Sequence, residues 1–293
     1  MRTNLCNGCF SRLFEKRVKR TIRQNNLLDK RDVVAVALSG GKDSMVLLKI
    51  LHKISKKAPN SKLIAISVDE GTIYRNKGLI VSEKFCKELG IEHHLYKFKK
   101  EFKLTLPELM KKVSKLDRPA PSCTYCGVLR RKLLNDKALE LKATKIATGH
   151  NLDDEAQTAM MNFIRADYDR MARSGAFVGI IKNRKFVPKI KPLRECPEEE
   201  IRMYAKINNI PFYSAKCPYS RNSLRRTISK VIASIEEKNP GIKFQILRSV
   251  DKIMPILREN SLKKGPIKEC RFCGALTSGT ICKVCELRNT VGF

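Results

Sequence analysis

Two groups of residues in this sequence have the types and spacing for chemistry. The first is Ser39-Gly40-Gly41-Lys42-Asp43-Ser44, which follows the apolar run Val33–Leu38. Gly40 and Gly41 let the backbone approach an anion closely, Ser39 and Ser44 add hydroxyl donors, and Lys42 adds a point charge. The loop is neither G-x-x-x-x-G-K-[ST] nor G-x-G-x-x-G. The second group is cysteine. Eight of the eleven cysteines fall in C-x-x-C pairs: Cys6/Cys9, Cys123/Cys126, Cys270/Cys273 and Cys282/Cys285. Cys86, Cys196 and Cys217 are single. No exported framework is indicated, so metal binding is the first reading. Cys270, Cys273, Cys282 and Cys285 offer four soft ligands at the spacing of a compact ribbon closed around Zn²⁺. With no open position left, that site is expected to be structural.

The elements that must position these groups follow from hydrophobic pattern. Continuous apolar or alternating runs at 33–38, 62–68, 91–98 and 145–148 read as strands. Helical patterns at 45–54, 78–89, 104–115 and 126–141 lie between them, and Gly149-His150-Asn151-Leu152-Asp153-Asp154 opens another. Alternation of this kind predicts an α/β fold with a doubly wound parallel sheet, in which ligands bind beyond the carboxyl ends of the strands. After about residue 170 the pattern loosens, with helices expected at 197–209, 221–237 and 241–260. The expected organisation is a basic N-terminal segment over 1–29, a nucleotide domain over 30–215, a helical region over 216–265 and the ribbon over 266–293.

Charge narrows the partner. Sixty Lys and Arg stand against 29 Asp and Glu, a formal net charge of +31. Halophile adaptation is acidic and ion-pair enrichment raises both signs, so neither accounts for this excess. A polyanion, with nucleic acid first, does. Residues 11–29 read as a basic amphipathic helix with Leu13, Phe14, Val18 and Ile22 on one face. Its charges are either a solvated face or a phosphate-facing one. No run of eighteen apolar residues and no secretory leader is present, so a cytoplasmic protein without a membrane span is expected.

The Ser39–Ser44 loop resembles the PP-loop of the ATP pyrophosphatase superfamily, whose domain is adenine nucleotide alpha hydrolase-like. Residues 149–154 match that superfamily's GHNxDD element. With Cys123-Thr124-Tyr125-Cys126-Gly127 and Cys217, the resemblance narrows to tRNA 2-thiolation enzymes of the TtuA/NcsA type and covers nearly the whole chain. It implies ATP and Mg²⁺ at Ser39–Ser44, with Asp69 and Gly149 lining the nucleotide pocket. It implies that Asp154 coordinates Mg²⁺ or positions the base, and that Cys123, Cys126 and Cys217 hold a [4Fe–4S] cluster with one iron open to an external ligand. The wobble-uridine branch carries Arg at the position of Arg130, which can orient a phosphate or base but is a poor proton donor. Relatives carry a four-ligand N-terminal finger. Cys6 and Cys9 match its second half, and the first pair has no counterpart here, through a late start or loss of the site.

The resemblance implies 2-thiouridine formation. The uridine O2 attacks the α-phosphate of ATP, and sulfur then displaces AMP from C2. The wobble uridine is the expected target and the T-loop uridine the competitor. A ubiquitin-like thiocarboxylate protein or free sulfide would supply sulfur, and a homodimer is expected. The residues leave other readings open. Cys217 could be a core thiol, Asp154 a helix N-cap, and the paired cysteines a persulfide and disulfide system. A lysidine-type ligase shares the loop without needing a cluster, and a 2-thiocytidine synthase typically lacks the ribbon. A non-enzymatic zinc-ribbon RNA-binding module explains the charge but not the loop. Arg221, Arg225 and Arg226, with the basic helix, would hold the RNA backbone.

Overall fold

The structure, a computed structural model, describes residues 5–179, 183–214, 217–220, 224–262 and 268–293. Its centre is a six-stranded sheet. In chain order the strands are β1 (Val33–Ala37), β2 (Lys62–Asp69), β3 (Glu92–Lys97), β4 (Lys145–Ala147), β5 (Phe177–Val178) and β6 (Lys189–Ile190). They lie in the spatial order β3-β2-β1-β4-β6-β5. All pair parallel except β5, which runs antiparallel along β6 at the edge. The uninterrupted apolar run of β1 is explained by this placement. Its central residues are buried because helices cover both faces of a parallel sheet.

The helices over the first half are α1 (Asn7–Gln24), α2 (Lys42–Ser55), α3 (Ile73–Leu89), α4 (Phe98–Phe102), α5 (Leu106–Val113) and α6 (Ser122–Glu140). The second half holds α7 (Leu152–Ile164), α8 (Tyr168–Ala172), α9 (Glu198–Ile207), α10 (Leu224–Lys238), α11 (Ile242–Leu262) and α12 (Lys283–Val291). One core joins Met45, Leu47, Leu48 and Leu51 of α2 to Phe14 and Val18 of α1 and Tyr204 of α9. A second core joins Phe98, Phe102, Leu109 and Leu129 to Cys270, Cys282 and Cys285, so the C-terminal ribbon packs against α5 and α6. Helices α10 and α11 pack on α7. Among the described residues, no helix is long and apolar enough to cross a membrane.

Several boundaries differ from the sequence reading for identifiable reasons. The basic helix starts at Asn7 because the Cys6 sulfur caps it, accepting from the Cys9 N–H at 3.4 Å. It stops at Gln24, and Asn26 then turns the chain with φ of 48°. The helix expected at 126–141 begins at Ser122, directly after Pro121 at its N-cap, so Cys123 and Cys126 both stand on its first turns. The third strand ends at Lys97, because Phe98 starts the short buried helix α4. Strands β5 and β6 have two residues each, too short to show a period in sequence.

Candidate active site at the carboxyl edge of the sheet

Strand order reverses at β1, with β2 on one side and β4 on the other. The loops after β1 and β4 therefore open into one crevice, the place where an open α/β sheet takes its ligand. The Ser39–Ser44 loop is pre-folded by its own hydroxyls. The Ser39 N–H donates to Ser44 Oγ at 3.1 Å, and Ser44 Oγ–H donates to the Gly41 carbonyl at 2.9 Å. Gly41 is the N-cap of α2 and gives it no side-chain cap, which leaves N–H groups of its first turn for an anion. Gly40 has φ of +75°, and a Cβ there would lie 2.2 Å from the Gly78 carbonyl of α3. A Cβ on Gly149 would lie 2.9 Å from the Ser44 backbone N, so the second loop is packed directly on the first. Asn151 Nδ2–H completes that join, donating to Asp43 Oδ1 at 3.0 Å.

The charged residues predicted for this crevice are all present, each with a partner. Lys42 Nζ lies 3.0 Å from Asp43 and 2.8 Å from Glu198 at the start of α9. Burial works against its charge, but the Asp43 and Glu198 carboxylates more than offset this and hold its pKa above the ordinary lysine value. Asp69, at the end of β2, accepts from the Gly71 N–H at 2.7 Å and shapes the following turn. Asp154 closes a capping box with Asn151 and also meets Arg225 at 3.2 Å. Burial raises its pKa against the pull of His150 and Arg225. The N-cap itself is Asn151, not Asp154 as weighed from sequence; Asp154 is its N3 partner, and the other carboxylate oxygen faces Arg225.

The segments that carry the three cysteines predicted as cluster ligands meet at the start of α6. Cys123 and Cys126 stand on the first turns of α6, and Cys217 precedes a short 3₁₀ turn, Pro218–Ser220. The Ser122 hydroxyl donates to the Tyr219 carbonyl at 2.6 Å, which holds the Cys217 segment on the start of α6. On the other side Tyr74 of α3 hydrogen-bonds Cys217. Cys126 is buried and Cys123 exposed, so the set runs from the interior to the surface. Cys86 and Cys196 are buried in the main core. The core-thiol reading weighed for Cys217 fits those two instead.

Sequence reasoning missed Glu70 and Arg75, which organise this region together with Arg130. Glu70 is fully buried, with 0% exposure. Arg75 of α3 grips it with two bonds, Nε to Oε2 at 2.7 Å and Nη2 to Oε1 at 2.9 Å, and donates a third from Nη1 to the Ser39 carbonyl at 3.0 Å. Arg130 of α6 lies against the same carboxylate, with Nε 2.8 Å from Oε1, and its Nη2–H donates to Cys126 Sγ at 3.0 Å. Burial opposes the Arg130 charge, yet Glu70 and Cys126 hold its pKa above the usual arginine value. Arg130 is therefore a permanent cation that orients groups, in line with the expectation that it moves no proton. Nothing around Asp69-Glu70-Gly71 in the sequence signals a buried carboxylate, because both partners come from other helices.

The four C-terminal cysteines form a separate centre. The sulfurs of Cys270, Cys273, Cys282 and Cys285 all lie within 4.8 Å of one another, the arrangement of a single tetrahedral ion. No other group of three or more such ligands among the described residues is that tight. Cys6 and Cys9 instead cap and flank α1, with Arg12 donating to Cys9 at 3.4 Å. On α1, Arg17 pairs with Glu200 at 2.6 Å and Arg20 with Glu195 at 3.2 Å. Arg12, Glu15, Lys16, Lys19, Arg20 and Arg23 line an open cavity of about 310 Å³. The helix is thus split between docking on α9 and a basic outer face. Arg225 is committed to Asp154, Gln157 and Thr158, and Arg221 lies outside the described residues.

Comparison with known proteins follows the same lines. A family described as the PP-loop domain matches residues 11–232. A probable sulfurtransferase of Methanocaldococcus jannaschii is 40% identical over 286 residues, covering 97% of this chain and 81% of that protein. The solved U34-tRNA thiolase NcsA of Methanococcus maripaludis, with its [4Fe–4S] cluster, superposes with a TM-score of 0.84 at 36% identity. The match covers 99% of this chain and 91% of that one. A tRNA-5-methyluridine(54) 2-sulfurtransferase of Pyrococcus horikoshii is 33% identical over 292 residues, covering 99% of this chain and 90% of that protein.

Proposed function

The chain belongs to the NcsA-type tRNA 2-thiolation enzymes of the PP-loop family, and on that premise we propose that it converts the wobble uridine of tRNA to 2-thiouridine. The observation that carries this reading is the adjacency of two sites. An anion loop suited to ATP and the Cys126 sulfur are linked through Arg75, Glu70 and Arg130. The donor set suits an iron–sulfur cluster. Cys123 and Cys126 stand on the first turns of α6, and the Cys217 segment is held on the start of that helix; thiols of this kind are the usual donors to such a cluster. Cys123, Cys126 and Cys217 would hold a [4Fe–4S] cluster, and that group would supply an iron site for sulfide.

The residues of the chain act on ATP and on the uridine. Lys42 and the N–H groups at the start of α2 hold the phosphates, and Asp43 and Asp154 are the carboxylates that would bind Mg²⁺. The uridine O2 attacks the α-phosphate, and the bond to the bridging oxygen breaks to release pyrophosphate. Adenylation makes that oxygen a good leaving group. Hydrosulfide then forms a bond to C2, AMP departs with the oxygen, and a proton is lost to water. Arg130 orients without titrating. The basic outer face of α1 holds the RNA backbone. A ubiquitin-like thiocarboxylate or free sulfide supplies sulfur, and the working form is a cytoplasmic homodimer whose ribbon holds Zn²⁺.

The test is anaerobic incubation of purified protein with ATP, Mg²⁺, sulfide and unmodified tRNA, with iron and sulfide counted beforehand. Mass spectrometry of tRNA fragments should place 2-thiouridine in the anticodon stem-loop, and Cys217→Ser should abolish it. Sulfur found instead in the T-loop would favour the second reading, supported by the Pyrococcus horikoshii relative that acts at position 54. Adenylation without iron and without sulfur transfer would refute the cluster chemistry.

A further inference from the structure

Glu70 has a place in the fold that neither nucleotide binding nor sulfur binding alone requires. It follows β2 directly, at the carboxyl edge of the sheet, and its carboxylate is shared by two guanidinium groups that reach in opposite directions. Arg75 extends from it to the Ser39 carbonyl, the peptide that enters the glycine turn of the anion loop. Arg130 extends from it to Cys126 Sγ. The two cations meet at one atom, Oε1, at 2.9 and 2.8 Å. The guanidinium plane is rigid, so a shift of the Ser39 peptide turns Arg75 as a unit and carries Oε1 with it.

The Arg130 side of this relay is poised. Its Nε is buried and has no hydrogen-bond partner, although Oε1 is only 2.8 Å away. The N–H is off the line to the carboxylate, so a small displacement of Oε1 makes that bond and changes how Nη2 meets the Cys126 sulfur. We propose that Glu70 is a positioning residue that couples occupancy of the nucleotide loop to the placement of the Arg130 guanidinium against the Cys126 sulfur. ATP in the Ser39–Ser44 loop would thereby prepare the sulfur site, and sulfur chemistry would be held back until the nucleotide is in place. The inference rests on the reading of the two sites as one thiolation centre.

The test reads the thiol rather than activity. Full-length protein, before cluster reconstitution, is treated anaerobically with iodoacetamide, with and without a non-hydrolysable ATP analogue and Mg²⁺. Alkylation of each cysteine is followed by peptide mass spectrometry, with Cys86 and Cys196 as internal references. The nucleotide should change the Cys126 rate by about fivefold or more, the lower end of ordinary coupling between sites. At saturating nucleotide, Glu70→Gln should reduce that change to less than about twofold. Arg75→Lys removes the reach to Ser39 while leaving a cation beside Glu70, and should do the same. It decides the matter if Glu70→Gln does not fold. An unchanged Cys126 rate in the native protein, or a nucleotide effect retained in both variants, overturns the coupling. Sulfur incorporation by the native enzyme separates the two proposals. Thiolation without a nucleotide effect on Cys126 sinks the relay and keeps the function, while the alkylation result stands even where no thiolation occurs.

Discussion

Substituting Gly40 by Ala tests whether the anion loop depends on contact with α3 or only on a flexible backbone. At φ of +75° an L-residue sits in the left-handed region, which costs about 1–2 kcal/mol. The new Cβ would also lie 2.2 Å from the Gly78 carbonyl and 2.7 Å from its Cα. These are backbone atoms inside a helix, which cannot rotate away as a side-chain tip can. Overpacking of this kind adds about 1–3 kcal/mol. The sum, about 2–5 kcal/mol, is a large part of a typical net stability of about 5–15 kcal/mol. Gly90→Ala is the matched control, because Gly90 has φ of +66° at the end of α3 and nothing within 4 Å of its Cβ position. It should cost only the conformational part. Urea midpoints at constant m-value give the two stabilities, and equilibrium dialysis gives ATP affinity. Gly40→Ala should be less stable than Gly90→Ala by about 1–3 kcal/mol and should bind ATP at least about tenfold more weakly, since the loop must move off α3. Equal stabilities for the two variants, or native ATP affinity in Gly40→Ala, would show that the contact with Gly78 does not shape the loop.

Two further predictions concern charge and metal. Burial, with Arg131 and Lys191 nearby, lowers the Lys189 pKa from 10.5 to about 8. Its folded-state pKa is depressed, so its charge opposes folding fully below about 8, and the penalty fades as pH rises towards 10.5. Lys189→Met should therefore raise the urea midpoint at pH 7, with the gain shrinking steadily above pH 8. A gain independent of pH would mean that packing, not charge, is responsible. Removing metal from the ribbon should release one Zn²⁺ per chain and expose four thiols to a chromogenic disulfide reagent. Because Cys270, Cys282 and Cys285 are part of the core that includes Leu129 of α6, chelation should also lower the melting temperature of the whole chain. An unchanged melting temperature would show that the ribbon folds apart from that core.

Residues whose chemistry is local were legible in sequence. Ser39–Ser44 after an apolar strand announces an anion loop, because the glycines, the hydroxyls and the helix start are contiguous. The spacing of Cys270, Cys273, Cys282 and Cys285 announces a metal ribbon for the same reason: the ligands are near one another along the chain. The alternation of strands and helices through residue 164 likewise indicated a doubly wound parallel sheet, though not its strand order or the two-residue strands β5 and β6. Amino-acid type and period carry that information directly.

What the tertiary structure decided is which distant groups share an atom. The Cys217 segment lies on the start of α6 because Ser122 and Tyr74 hold it from two sides. Arg17 and Arg20 read in sequence as part of a solvated or phosphate-facing helix face, but acids of another segment pair with them. Glu70 is the sharpest case. In sequence it is one acid at the end of a strand, next to an aspartate and a glycine. A buried carboxylate is tolerable only where cations surround it, and its cations come from α3 and α6, which the sheet brings together on its carboxyl edge. Local pattern fixes what each segment becomes. The pairing of charges across segments depends on burial, and burial exists only once the segments have packed.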